Sequence, residues 1–245
     1  MRIAILTDIH ANREAFEAVI ADATARNATQ FAILGDIVGY GGDPAWCVER
    51  TMALAAAGGV VVRGNHDQAV YDPSISLNET ARAAIQWTAQ QLSPEHVEYL
   101  AALPLTVREG DRLYVHSSAA APGRFNYLLD TEDASGHFAA CDARLGFCGH
   151  VHRPRLYSMG AGKVCSFAPT GETPIPLLAQ RRWVAVVGSV GQPRDGDPAA
   201  GYAIYDTQTC ELCFHKAAYD IEAASTRIRA AGLPDSLAQR LLTGK

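Results

Sequence analysis

The sequence predicts a layered α/β protein, and three observations carry that prediction. Short apolar runs alternate with amphipathic helical stretches through the first half. The composition, 48% hydrophobic and 19% charged with no low-complexity run, is that of a globular chain. At 245 residues one large core can form, and no internal repeat or Pro/Gly/Ser linker interrupts the chain. Residues 1–245 are therefore expected to make a single domain.

The elements read off in order. Arg2 to Leu6 is an apolar run of buried-strand type, followed by a helical pattern over Arg13 to Arg26. Phe31 to Leu34 is a second strand. A helix from Pro44 to Ala57 follows, with Asp43 in N-cap position and Pro44 at its first turn. Gly59 to Val62 is a third strand, so strand–helix–strand alternation implies parallel pairing here. Leu77 to Leu92 has helical spacing, and Ser93-Pro94-Glu95 opens a further helix. Glu109-Gly110-Asp111 is a tight-turn signal between two strands, Leu105 to Val107 and Leu113 to Val115, and predicts a hairpin. A helix over Glu132 to Ala140 precedes strands at Leu145 to Cys148, Arg155 to Ser158, Val164 to Phe167 and Trp183 to Val187. Tyr202 to Asp206 and Glu211 to Lys216 close the sheet pattern, and helices over Ile221 to Ala230 and Pro234 to Leu242 end the chain. The second half is expected to be mainly antiparallel.

The formal charge of −5, from 21 basic against 26 acidic residues, argues against a surface that neutralises many nucleic-acid phosphates. It leaves room for a small phosphorylated ligand, since bound cations bring their own positive charge. The opening apolar run turns polar at Thr7-Asp8, too soon for a signal peptide or membrane span, so a cytoplasmic location is expected. The six cysteines are scattered, and the isolated Cys210-x-x-Cys213 lies in a strand-like run without the second pair that a zinc ribbon needs.

Five places share one property: a strand ends and metal-competent side chains follow at once. They are Asp8-Ile9-His10, Gly35-Asp36, Gly64-Asn65-His66-Asp67, His116, and Gly149-His150-Val151-His152. Strand ends border the ligand crevice in open α/β sheets, so the five loops can converge. Five of the eight histidines fall in them. One histidine after a strand is commonly a structural residue; five strand ends carrying ligands in this order are a constellation.

These segments resemble the ordered blocks of the calcineurin-like metallophosphoesterase superfamily: D-x-H, G-D-x-x, G-N-H-[DE], a lone His, and G-H-x-H. Gly35 to Gly41 and the later Gly188 to Pro198 are similar to a bacterial branch grouped with diadenosine tetraphosphatases and protein phosphatases. The resemblance covers residues 1 to 207 and leaves the C-terminal helices, 219–245, outside. It implies an α/β/β/α sandwich of two mixed sheets flanked by helices. It also implies two divalent ions (Mn, Fe, Zn, Ni or Co), one held by Asp8, His10, Asp36 and His152 and the other by Asp36, Asn65, His116 and His150. Attack by a metal-activated hydroxide and protonation of the leaving oxygen by His66 complete the implied scheme.

The chain departs from the phosphoprotein-phosphatase pattern at one point. Where that branch has Asp-Arg-Gly after the second block, this sequence has Gly39-Tyr40-Gly41. Asp67 or Asp43 is then left to orient His66, with Asp67 the catalytic partner of choice. Arg124 and Arg194, with Arg63 and Arg153 behind them, are candidates to touch phosphate. Tyr40 and the Phe125-Asn126-Tyr127 loop offer aromatic faces for a base. The reading is hydrolysis of a small phosphodiester or nucleotide of dinucleoside-polyphosphate type. The alternatives are a phosphomonoesterase or serine/threonine phosphoprotein phosphatase, or a metal-stabilised interaction module without catalysis.

Overall fold

The computed structural model describes residues 1–245, and its layers follow from which runs are apolar on both faces. β1 (Arg2–Leu6) is buried after its first residue. It pairs in parallel with β2 (Gln30–Ile33), which pairs in parallel with β3 (Val60–Val61). On its other side it meets β11 (Ala200–Asp206) antiparallel, followed by β12 (Glu211–Ala217) and the short β9 (Ile175–Pro176). The second sheet has the order β4 (Thr106–Glu109), β5 (Arg112–Val115), β6 (Leu145–Cys148), β10 (Arg182–Val186), β7 (Arg155–Gly160), β8 (Lys163–Phe167).

The two mixed sheets pack face to face. Ile3, Ile5, Leu34 and Val62 of the first meet Leu145, Phe147, Trp183 and Ala185 of the second in one buried cluster. Phe147 lies between Tyr114 and Tyr205, with ring centroids 5.7 Å and 5.6 Å away. The outer face of the first sheet is covered by α1 (Arg13–Ala25), α2 (Pro44–Ala56) and α5 (Pro94–Ala102), and that of the second by α6 (Thr131–Ala140). The result is the α/β/β/α sandwich.

Local signals explain the helix starts. Asn12 accepts the Ala15 N–H at 3.1 Å, and Asp130 accepts from Glu132 and Asp133 at 2.8 and 3.0 Å. Asp43 stands at the start of α2 but makes no cap bond; its carboxylate faces Arg227 at 3.2 Å. Arg227 belongs to α7 (Ile221–Ala230), which with α8 (Asp235–Thr243) and α4 (Glu79–Gln91) surrounds Tyr40 with Ala84, Ile228, Leu237 and Leu241. No helix is long and apolar enough to cross a membrane.

Pairing in the second half is mainly antiparallel, as expected, with one parallel run inside it. β5, β6 and β10 run parallel, because α6 returns the chain between β5 and β6, and the β7–β8 hairpin, which follows β6 in the chain, docks beyond β10 in the sheet. The parallel run matters for the site. It gives the second sheet its own set of co-directed strand ends, which face those of β1, β2 and β3.

Candidate metal centre

Contacts across the strand ends bring the five predicted loops together. The His150 N–H donates to Asp8 Oδ2 at 2.9 Å, and the His66 N–H donates to Asp36 Oδ1 at 2.8 Å. His116 reaches across from the second sheet, with Nδ1 2.7 Å from the Leu34 carbonyl. All seven proposed ligands are buried: Asp8, His10, Asp36, Asn65, His116, His150 and His152.

The side chains form groups that share members. Asp8, His10 and His152 make one; Asp36, His116 and His150 make another; His10, Asp36 and His66 link them. Asp36 Oδ2 lies 3.7 Å from His10 Nε2 and 3.4 Å from His116 Nε2, so one carboxylate faces both groups. Asn65 Oδ1 is 3.2 Å from His116 Nε2.

The donor chemistry fits cations. His10, His116 and His152 each turn Nδ1 toward a backbone carbonyl, those of Val38, Leu34 and Gln192, at 3.2, 2.7 and 2.6 Å. A proton held there leaves Nε2 as a lone pair aimed inward, the second-sphere device of metal-ligating histidine. His10 Nε2 and His152 Nε2 then face each other at 3.1 Å, and His116 Nε2 faces His150 Nδ1 at 3.1 Å. Asp8 Oδ1 is buried and has no hydrogen-bond partner. Lone pairs opposed this closely, beside an unpaired buried carboxylate oxygen, are what a cation relieves. Imidazole with carboxylate is a donor set suited to divalent metal ions.

The electrostatics agree. Burial and neighbouring imidazoles hold His10, His66 and His150 below the ordinary histidine range, His150 at about 3, which leaves the ligand candidates His10 and His150 free to coordinate. Burial alone would also lower His116, but Asp36, Asp8 and the Leu34 carbonyl outweigh it and push it up to about 9. The backbone is strained as well: Asp8, His10, Asp36, Tyr40, His150 and His152 all have φ between +49° and +67°. Non-glycine residues occupy that region at a cost of roughly 1–3 kcal/mol each, and such strain clusters at functional sites.

Glycine at 64 is required by contact, since a Cβ there would lie 2.1 Å from Asp36 Oδ1. The Asp67 carboxylate, expected to orient His66, is occupied elsewhere. It accepts from the Ile37, Val38 and Gly64 N–H groups at 2.8, 3.3 and 2.9 Å, pinning the loops that carry Asp36 and Asn65. Burial and the nearby Asp36 raise its pKa to about 7. Asp43, the second candidate, is paired with Arg227. His66 Nδ1 has no protein partner, and a Cβ on Gly39 would lie 2.4 Å from it. The position that is Asp in the phosphatase pattern thus has no room for a side chain.

Tyr40 packs against both His10 and His66, with centroids 4.6 and 4.5 Å away. A cleft of about 630 Å³ opens over the centre, and Tyr40, Arg124 and Arg194 line it. Arg194 is held by Gln192 Oε1 at 2.7 Å; Arg124 makes no side-chain hydrogen bond or ion pair. Tyr127, half exposed, stacks on His150 at 4.2 Å and 17°. Residues without a sequence signal complete the centre. Ser189 Oγ donates to the Asp8 carbonyl at 2.9 Å, and the Gln192 carbonyl orients His152. In the sequence that loop was marked only through the resemblance of Gly188 to Pro198, which names neither contact.

Residues 1–210 match the model of the calcineurin-like phosphoesterase superfamily domain. The chain belongs to this superfamily. It is 39% identical to a metallophosphoesterase from Sphaerobacter thermophilus, with a TM-score of 0.88 over 100% of this chain and 99% of that one. An uncharacterized protein of Methanocaldococcus jannaschii is 33% identical over 99% of this chain and 98% of its own length. A hypothetical protein of Pyrococcus horikoshii OT3, 21% identical, shares the fold with a TM-score of 0.78, covering 100% of this chain and 98% of its own. The protein is therefore a phosphoesterase of a family that uses divalent metals, with clustered His and Asp ligand candidates.

Proposed function

We propose that this chain works with two divalent ions and hydrolyses a small phosphodiester or nucleotide of dinucleoside-polyphosphate type. One observation carries the two-ion reading: the Asp36 carboxylate faces both donor groups at once. Asp8, His10, Asp36 and His152 would hold one ion, and Asp36, Asn65, His116 and His150 the other. When bound, the ions supply Lewis acidity for the phosphoryl oxygens and lower the pKa of water to make a nucleophile.

The remaining work falls to the chain. His66, buried beside Asp36, delivers a proton to the leaving oxygen from its protonated imidazolium form, which the Asp36 carboxylate favours against burial. Tyr40 fixes the face of its ring. Asp67 pins the loops beneath. Arg194 and Arg124 border the cleft where phosphate oxygens lie, and Tyr127 presents a face for an aryl group or base. Gly39-Tyr40-Gly41 supplies neither the carboxylate nor the arginine of the phosphoprotein-phosphatase pattern, which turns the reading from phosphoprotein toward phosphodiester. All six cysteines are free thiols, which supports a reducing compartment, the cytoplasm.

The test is turnover of bis-p-nitrophenyl phosphate, p-nitrophenyl phosphate, diadenosine tetraphosphate and a phosphopeptide with Mn. Cleavage of the diester and the dinucleotide is expected. Cleavage of monoester and phosphopeptide alone would overturn the substrate reading. Failure on all four, with tight partner binding, would favour the interaction module.

A further inference from the structure

A second hollow, of about 840 Å³, adjoins the metal cleft, and Arg194 lines both. Its walls carry Arg153, Arg155, Arg194, Arg240 and Lys245 against one side-chain carboxylate, Asp195. That carboxylate is already neutralised by Lys216, at 2.9 and 2.7 Å from its two oxygens. None of the five cations is in an ion pair, although the chain as a whole has a formal charge of −5. An unpaired cationic concavity in a net-acidic protein focuses a positive potential.

The hollow is built onto the metal centre. Arg153 follows His152 directly, and its Nε donates to the Arg194 carbonyl at 2.7 Å. The Arg194 N–H in turn donates to the His152 carbonyl at 3.1 Å. The outer wall comes from α8, docked where the Gly196 N–H donates to the Gly244 carbonyl at 2.9 Å. That wall lies in the C-terminal segment, beyond the 1–210 span matched by the superfamily domain.

We propose that this hollow is a subsite for an oligophosphate chain, the phosphates of a substrate beyond the one attacked at the metal centre. Arginine guanidinium groups match phosphate oxygens in forked geometry, and four of them around one hollow suit a ligand with several phosphates. The lining offers no aromatic side chain; its other members are proline, alanine and glycine. A single-stranded nucleic acid needs stacking platforms beside its phosphates, so the ligand is a bare phosphate chain rather than an oligonucleotide. The subsite deepens the phosphoesterase reading, since it rests on the attacked phosphate lying at the metal centre, and it selects substrates with several linked phosphates.

The test is isothermal titration of the full chain as purified with inorganic tripolyphosphate and with orthophosphate. Metal content is measured after each run, so that chelation is not read as binding. Tripolyphosphate should bind at least about tenfold more tightly than phosphate. R240A should lose part of that preference and R155A/R240A nearly all of it, with melting temperature and metal content unchanged. Equal affinity for the two anions, or a correctly folded double variant that keeps the preference, overturns the subsite. Tighter binding of a single-stranded oligonucleotide, lost in the same variants, overturns it in favour of nucleic acid. Tripolyphosphate preference without turnover of any ester would sustain the subsite and sink the catalytic reading. Turnover without that preference would do the reverse.

Discussion

Gly39→Ala isolates the role of His66, because the metal ligands are left intact. The added Cβ would lie 2.4 Å from His66 Nδ1 and 3.2 Å from Cγ of the same ring. To restore an ordinary contact of 3.4 Å the imidazole must withdraw by about 1 Å. It cannot rock toward Tyr40, whose ring centroid is 4.5 Å away, nor toward His10 at 4.8 Å. Alanine at φ +88° adds a backbone cost of roughly 1–2 kcal/mol. A displacement of about 1 Å in a reacting group corresponds to roughly a 100-fold loss of rate. The assay compares kcat for bis-p-nitrophenyl phosphate, whose leaving group needs little protonation, with kcat for an alkyl phosphodiester, whose leaving group needs it. The alkyl substrate should lose about two orders of magnitude and the nitrophenyl ester far less, at unchanged metal content. Equal losses, or none on the alkyl substrate, would refute the placement of His66 as proton donor. Gly39→Asp should behave like Gly39→Ala rather than restore a phosphatase, since the same contact meets any side chain.

Asp67→Asn should lower stability by about 1–3 kcal/mol, because an amide cannot accept from Ile37, Val38 and Gly64 together. Metal affinity should fall with it while kcat at saturating metal is largely kept; a kcat loss as large as in His66→Ala would restore Asp67 to catalysis. His137 is buried, its Nδ1 accepts from the Ala119 N–H at 3.1 Å, and burial with Arg182 nearby holds its pKa at about 4. The folded state therefore takes up its proton later than the unfolded state. Stability from this group is complete above the ordinary value of 6.5 and is lost as pH falls toward 4, by about 3 kcal/mol in all. Urea unfolding across that range should show the slope in the native protein and a flatter one in His137→Gln. Ile228→Ala should destabilise by about 2–5 kcal/mol through the cluster shared with Tyr40. The loss should appear in a single unfolding transition if residues 1–245 fold as one domain; two separate transitions would show the C-terminal helices to be independent.

Much of this was legible in the sequence because the information was local. β1 is a continuous apolar run, α5 has Ser93 and Pro94 at its start, and Gly110 marks the β4–β5 turn. The loops of the seven proposed ligands were legible for a related reason: a metal-competent side chain straight after a strand is a pattern within a few residues. What escaped was decided by long-range contact. β9 is two residues paired with β12, and α3 (Asn65–Ala69) is a single turn started by Asp67. The parallel run of β5, β6 and β10 depends on where the β7–β8 hairpin is placed. Asp67 sits beside His66 in sequence, yet its carboxylate turns to the opposite loop. The Arg194 and Arg240 side chains meet one hollow from segments 46 residues apart in number, which no spacing announces.

The central claim is a two-ion centre bridged by Asp36, and metal stoichiometry tests it most directly. Protein stripped with chelator and titrated with Mn should take up two ions per chain, with turnover of bis-p-nitrophenyl phosphate appearing as the second is bound. Asp36→Asn should lose both ions and turnover together. Full activity with one ion per chain, or an Asp36→Asn protein that still binds two, would contradict the account.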